Sequence, residues 1–323
     1  MSSTKTSAPA MARPALPAGV GTVQSRRNLV VGVIYGLATA LVWAGWAVAT
    51  RFAMTTTLEP HDVTLLRYGV SGLFLWPLLF RTGLGLQQIG VVRMVVMVVG
   101  AGAPFMLVAS NGINFAPASH VATLMQGAMP LFVAIMAVVL FGQRFDRPQT
   151  IGFAAVVLGI ACIGGHALLF NRAEGEWRGD LLFLLGGNLF AAYTLAQRRS
   201  GISSWHAVAL VSVISTIGFA PFYFLFYDSN LLTAPWQEVL FQAFAQGIGI
   251  AMLGLWFYGE AVRRLGAPHG AIFGSLVPGL ASLMAAPLLG EIPGPSTIVG
   301  IVLVSLGVVL VSGIASLRNK PSS

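Results

Sequence analysis

Polar and aromatic side chains recur at helical spacing along a chain that carries few charges. Tyr35, Thr39, Trp43, Trp46 and Thr50 step by 4, 4, 3 and 4 residues, and Gln242, Gln246, Gly249, Leu253, Trp256 and Glu260 step by 4, 3, 4, 3 and 4. Gly186, Phe190, Tyr193 and Gln197 repeat part of the first stripe; Ser119, Thr123, Gln126 and Pro130 share a face, and Asn111 and Asn114 lie close together. Such spacing puts each set on one side of a helix. Amides and hydroxyls offer hydrogen bonds and rings offer stacking, so the available chemistry is reversible binding of a small molecule. The same groups also serve as glue between helices, where polar bonds average about 0.6 kcal/mol, and Trp46, near the end of its stretch, suits an interfacial anchor. The binding candidates are Tyr35, Thr39, Trp43, Asn111, Thr123, Gln126, Tyr193, Gln242, Gln246 and Trp256.

Four titratable residues inside or beside apolar runs are candidates for coupling or charge pairing. Arg67, in LLRYGVSG, is the deepest cation. Pairing with carbonyls or acids near the end of its segment is the preferred reading, and holding an anionic solute group is the other. Glu260 is the carboxylate assigned to a span, the others in the runs lying at their outer ends, and is the natural proton carrier, yet Arg263 and Arg264 follow at the i+3 and i+4 spacing of an intrahelical ion pair. His120 and His269, each shortly after a proline, either relay protons or cap a helix start. No phosphate-binding G-x-x-x-x-G-K-[ST] and no H-E-x-x-H occur. Catalytic residues, metal and cofactor are therefore not expected. The rival from another class is an intramembrane enzyme: Gly69-Val70-Ser71-Gly72 resembles the serine motif of rhomboid proteases, with His120, His166 and His269 as candidate bases. A channel or non-transporting scaffold is the third reading, for which a repeated charged or carbonyl ring would be needed.

These residues must be positioned by apolar helices. The chain has 323 residues, 56% hydrophobic and 9% charged, against about 25% charged in soluble proteins. Ten apolar runs, at 29–50, 61–80, 93–113, 118–141, 149–170, 180–197, 204–227, 238–260, 268–289 and 296–317, approach or exceed the roughly 20 residues that cross a bilayer. None alternates with the period of two that a β-barrel needs. The fold expected is an all-α polytopic membrane protein. Residues 1–28, rich in Pro, Ala and Ser, read as a disordered tail, and Cys162 alone excludes an intrachain disulfide.

The net charge of +8 is distributed, not clustered. With both termini inside, fourteen of the eighteen Lys and Arg fall on the inner side, Arg51, Arg172 and Arg178 fall outside, and Arg67 lies within a run. That is the positive-inside bias, so the charge reports topology, and a nucleic-acid partner is not expected. The partners expected are the lipid bilayer and a small-molecule substrate, in a bacterial-type inner (cytoplasmic) membrane, with protons as the candidate coupling ion and a monomer or homodimer as the assembly.

The chain also repeats itself. PLFVAIMAVVLFGQ (130–143) lies over PGLASLMAAPLLGE (278–291) at an offset of 148, matching Pro130 with Pro278 and Gly142 with Gly290. Gly152 and Gly159 then match Gly300 and Gly307, and Trp43, Trp46 and Arg51 match Phe190, Tyr193 and Arg198 at an offset of 147. Five runs per copy is an odd number, so the second copy enters from the opposite side, an inverted repeat with binding expected where the halves meet. Pro130 and Pro278, near the centres of their helices, each remove a backbone hydrogen bond, which suits two bent helices facing a pathway. The repeats are placed at 29–170 and 178–317, with 318–323 as a cytoplasmic C-terminal tail. Glycine matches in the fifth and tenth runs suit packing within or between chains.

Together, these motifs resemble the drug/metabolite transporter superfamily, EamA-type branch, over about 29 to 317. The family's Gly-Glu pair stands as Gly290-Glu291, but as Gly142-Gln143 in the first copy, so the glutamate reads as a helix-end feature, not a coupling carboxylate. The resemblance implies a secondary transporter, a probable exporter of small organic metabolites such as amino acids, working by alternating access. It implies a central cavity lined mainly by the first, third, fourth, sixth, eighth and ninth helices. It also makes the arginine of the second helix relevant, since relatives often carry one there.

Overall fold

The computed structural model describes residues 20–142, 145–170, 175–265 and 267–311, with side chains described from residue 28 onward except at 137, 141, 167, 168, 170, 198, 262, 263 and 267–272. Every regular element among them is helical. The first copy comprises α1 (Val20–Met54), α2 (Pro60–Thr82), a short α3 (Leu86–Ile89), α4 (Val91–Ala101), α5 (Ala103–Ile113), α6 (Ala118–His120) running into a π-helical turn Val121–Gln126, α7 (Met129–Phe141) and α8 (Arg147–Phe170). The second comprises α9 (Glu176–Ser200), α10 (Ser204–Phe226), α11 (Trp236–Gln242) continuing as a π-helix Ala243–Gly254 into α12 (Leu255–Leu265), α13 (Ala267–Leu289) and α14 (Pro295–Val311). Eight helical rods are long and apolar enough to cross a membrane, and Phe273–Leu289 and Pro295–Val311 are shorter apolar helices. The protein is a multi-pass helical membrane protein. Leu73, Phe80, Val92, Val139 and Leu283 are exposed on its flanks, the surface a bilayer solvates.

The first helix begins at Val20, so 20–28, expected as part of a disordered tail, is helical, because no proline lies between Pro17 and Pro60 and the Gln and Arg residues there favour helix; residues 1–19 lie outside the described residues.

Helix packing carries the repeat into three dimensions. α1 lies against α12 and α13, and its counterpart α9 lies against α4, α5 and α7; α2 meets its own counterpart α10, and α8 meets α14. In a two-fold contact, residue i meets j of the other copy and j meets i. The α8–α14 seam does this: a Cβ at Gly152 would stand 2.7 Å from the Gly307 carbonyl, and one at Gly159 would stand 2.9 Å from the Gly300 carbonyl. The glycines match as 152 with 300 and 159 with 307, and they touch as 152 with 307 and 159 with 300. Their packing is within the chain.

Gly142 and Gly290, the matched ends of α7 and α13, both take left-handed φ values, 62° and 71°, the conformation with which glycine closes a helix. The matched prolines behave differently. Pro130 falls in the first turn of α7, after an interruption at Gly127–Ala128, where its missing N–H costs little. Pro278 lies inside the continuous α13, and its carbonyl accepts the Ser282 hydroxyl.

The third rod is broken at Gly102, between Ala101 and Pro104. Backbone freed at this depth needs partners from protein. Tyr68 donates its hydroxyl to the Ala101 carbonyl at 2.7 Å, and Ser215 Oγ accepts from Ala103 N at 3.1 Å. Tyr68→Phe is expected to leave that carbonyl orphaned and to lower stability by about 1–3 kcal/mol. Thermal unfolding in detergent checks this, and an unchanged midpoint would refute the assigned partner.

Candidate functional site

A cavity of about 550 Å³ opens between the two copies, within the usual range for small-molecule sites. Its walls come from both halves: Trp43 and Trp46 of α1, Arg67 and Tyr68 of α2, Phe105 of α5, Gln126 and Pro130 from the fourth rod, Phe190 and Tyr193 of α9, and Tyr258 of α12. The break at Ala101 also faces it. Irregular backbone at cavity depth is what discontinuous helices supply in binding sites of membrane proteins, and the π-helical segments beside Gln126 and Ile250 fall at the same cavity.

The cavity is lopsided along the helix axes. It reaches Phe145, Gln149, Arg199 and Val311 at one set of helix ends, where Arg199 is exposed. No lining residue comes from the opposite set, around 54–62, 113–118, 175–180, 226–238 and 290–297. Side chains tie that end together. Glu291 receives Arg51 Nε at 2.5 Å and Ala118 N at 3.0 Å, while Arg51 Nη1 also donates to the Ile113 carbonyl at 2.6 Å. One carboxylate thus joins the end of α1, the end of α5, the start of α6 and the loop after α13. His120 Nδ1 lies 2.8 Å from Asp180 Oδ1, and its Nε2 lies 3.3 Å from Thr297 Oγ1. Tyr223 donates to Asp62, Thr56 donates to Glu238, and Asn230 reaches the Thr57 carbonyl at 3.0 Å.

Of the residues singled out by spacing and depth, Trp43, Gln126, Tyr193, Arg67 and Pro130 meet at the cavity. The others lie elsewhere. Gln242 and Gln246 are fully buried and bracket α1: Gln242 Nε2 donates to the Ala49 carbonyl at 2.7 Å, and Gln246 Nε2 donates to Thr50 Oγ1 at 2.9 Å. Tyr35 and Trp256 meet edge to face at 5.6 Å in the α1–α12 seam. Thr39 and Thr123 are buried and donate to carbonyls one turn back, Tyr35 and Ser119, and Asn111 is exposed with its amide on Leu107. Glu260 pairs with Arg264 at 3.2 Å, as the spacing predicts. Pro278 is buried in α13 outside the lining, and the side chain of His269 lies outside the described residues.

Arg67 departs from the preferred reading. In place of a carbonyl or an acid it has one long hydrogen bond, from Nη1 to Gln246 Oε1 at 3.4 Å, and its guanidinium carbon lies 5.8 Å from the ring centres of both Trp46 and Tyr68. Spacing also misjudged Trp46, which is 3% exposed and faces the cavity instead of an interface. Phe105 and Tyr258 were missed because they project from rods whose visible stripes point another way. Ser71 gives its hydroxyl to the Arg67 and Tyr68 carbonyls. Among the described residues no histidine bonds to it; the His269 side chain lies outside them.

The EamA-like transporter family model matches residues 30–165 and 177–313. The uncharacterized transporter YyaM of Bacillus subtilis (strain 168) is 23% identical over 198 residues, covering 59% of this chain and 63% of its own length. A probable terminal-alkyne amino-acid exporter of Streptantibioticus cattleyicolor is 27% identical over 205 residues, covering 62% of this chain and 67% of its own. The alignments thus span about two thirds of these curated relatives. A protein crystal structure shares the fold at a TM-score of 0.59, with 20% identity over 90% of this chain and 99% of that one.

Proposed function

The chain belongs to the EamA-like transporter family, and from that premise we propose that it is a secondary transporter that exports small organic metabolites such as amino acids across the cytoplasmic membrane by alternating access. Ten crossings as a 5+5 inverted repeat (29–170 and 178–317), with both termini cytoplasmic, follow from the charge bias and the odd number of rods per copy. In that orientation the cavity mouth at Arg199 and Gln149 faces the cytoplasm and the tied end faces outward. The conformation is then inward-open, the state in which an exporter loads. The observation that carries this reading is a cavity built by both copies, open at one end and closed by cross-helix side chains at the other. The name of the Streptantibioticus relative, a probable amino-acid exporter, supports amino-acid-like solutes.

Two experiments test it. Counterflow in proteoliposomes, with and without a pH gradient, is expected to show saturable exchange with amino-acid or related pools; the gradient response decides whether protons couple. His120 and Glu260 are held in pairs with Asp180 and Arg264 away from the cavity, so a gradient effect directs mutation to those pairs first. Sidedness is tested with Cys162→Ser as background. Gln126→Cys is expected to react with a membrane-impermeant maleimide from the cytoplasmic face only, and Asn114→Cys, exposed at the tied end, from outside only. Reaction of Gln126→Cys from outside alone would reverse the orientation, and no exchange in a folded preparation would count against transport.

A further inference from the structure

Resting on the reading of the cavity as a substrate site, we propose that Arg67 and Trp46 form an anion subsite in it, and that the substrate presents a carboxylate on an apolar or aromatic body. The walls hold two arginines, Arg67 and Arg199, and no Asp or Glu among the described residues. Arg67 has no ion-pair partner among them, its Nε is buried without a hydrogen bond, and its Nη1 contact to Gln246 is at the long limit, 3.4 Å. A buried charge without a counter-charge is strongly unfavourable and is normally compensated by pairing. The nearest rings, Trp46 and Tyr68, have their centres 5.8 Å from the guanidinium carbon, and neither residue brings a carboxylate.

A second unpartnered donor lies beside it. The Trp46 indole N–H is buried without an acceptor, and its ring centre stands 5.8 Å from the Arg67 guanidinium carbon. Both line the cavity. A planar carboxylate accepts from Arg67 with one oxygen or two and leaves a lone pair for the indole N–H. The rest of the pocket suits the body of such a molecule: Trp43, Phe105, Phe190, Tyr193 and Tyr258 supply rings. Gln126 Oε1, buried in the same cavity without a partner, can take an N–H from the substrate. A neutral amide there accommodates an ammonium without demanding one. An organic cation, by contrast, meets two arginines and no carboxylate.

The test measures binding to the intact protein in detergent by ligand-induced thermal stabilisation. The probes are 3-phenylpropionate, its primary amide and phenethylamine, which share one body and differ in the head group. The carboxylate is expected to bind, the amide at least about tenfold more weakly, and the amine not at all. Arg67→Gln is expected to lose about tenfold or more for the carboxylate and to erase its advantage over the amide, with Arg67→Lys intermediate because a point charge replaces the fork. Trp46→Phe keeps an aromatic face but removes the indole N–H together with the five-membered ring, so it should weaken the carboxylate more than the amide. The wild-type probe series stands even where a variant fails to fold. Equal affinity for all three probes, no carboxylate binding in the millimolar range, or unchanged carboxylate affinity in folded Arg67→Gln would overturn the subsite. Binding does not require turnover: selective carboxylate binding without counterflow keeps the subsite and removes the transport reading, whereas counterflow of anions and cations alike, untouched by Arg67→Gln, does the reverse.

Discussion

Glu291→Ala is expected to unseal the tied end, raising the reactivity of Gln126→Cys toward an impermeant thiol reagent from the outside by about tenfold or more. The carboxylate accepts from Arg51 Nε and from Ala118 N and so holds four segments at once. With side-chain exposures of 22% and 19%, the Arg51–Glu291 pair is only partly screened by solvent. Hydrogen bonds to charged groups are worth about 1.5–3 kcal/mol each before that screening, and a factor of ten is about 1.4 kcal/mol. The contacts can form only while these segments are together, so losing them biases the equilibrium between closed and open ends by their differential free energy. Glu291→Gln, which keeps an acceptor but not the charge, should fall between alanine and wild type. Unchanged labelling from outside in both variants, in folded protein, would show that the latch lies elsewhere, with the His120–Asp180 pair as the next site to test. The matched position in the first copy is Gln143, an amide.

Gly307→Ala is expected to destabilise the protein by about 1–3 kcal/mol, the usual effect of overpacking, while Gly165→Ala, on the neighbouring helix, should be neutral or slightly stabilising. A Cβ at Gly307 would stand 2.6 Å from the Gly152 carbonyl and 2.7 Å from Val156, so backbone would have to move. At Gly165 nothing lies within 4 Å, and alanine in a helix interior is favoured over glycine by roughly 0.5–1 kcal/mol. Thermal unfolding of both variants in one detergent decides it. A similar midpoint for the two would mean that the α8–α14 seam is looser than its close approaches imply. A leucine at Gly307 should go further and block insertion of α14 against α8, visible as loss of monodisperse protein in gel filtration.

Much of the architecture was legible from composition and repetition alone. A chain with 9% charge cannot clothe itself in water, so helices crossing a membrane were dictated before any packing was considered. The Gly and Pro matches announced two copies, because a residue needed for backbone reasons must recur wherever the backbone recurs. Gly142 and Gly290 close matched helices with the same left-handed turn. Glu260 with Arg264 was equally local, since i and i+4 meet on any helix.

What a polar side chain faces was not local. Helical spacing puts Gln242, Gln246 and Trp43 on stripes, but it cannot say whether a stripe looks at a neighbouring helix or at empty space. Only tertiary packing turned the two glutamines onto α1 as brackets and left Trp43 and Trp46 beside a cavity. Likewise Pro130 and Pro278 share a sequence position but not a geometry, because the fourth rod is interrupted at Gly127–Ala128 and α13 runs on. The depth of Arg67 was plain in the sequence; its lack of a counter-charge was not, because Asp62, the acid on the same helix, is taken up by the Glu59 N–H and the Tyr223 hydroxyl. Composition and repetition determine which segments cross the membrane and that they come in two copies. The arrangement of those copies decides which few side chains share a pocket, because distance between helices is a property of the fold and not of spacing along the chain.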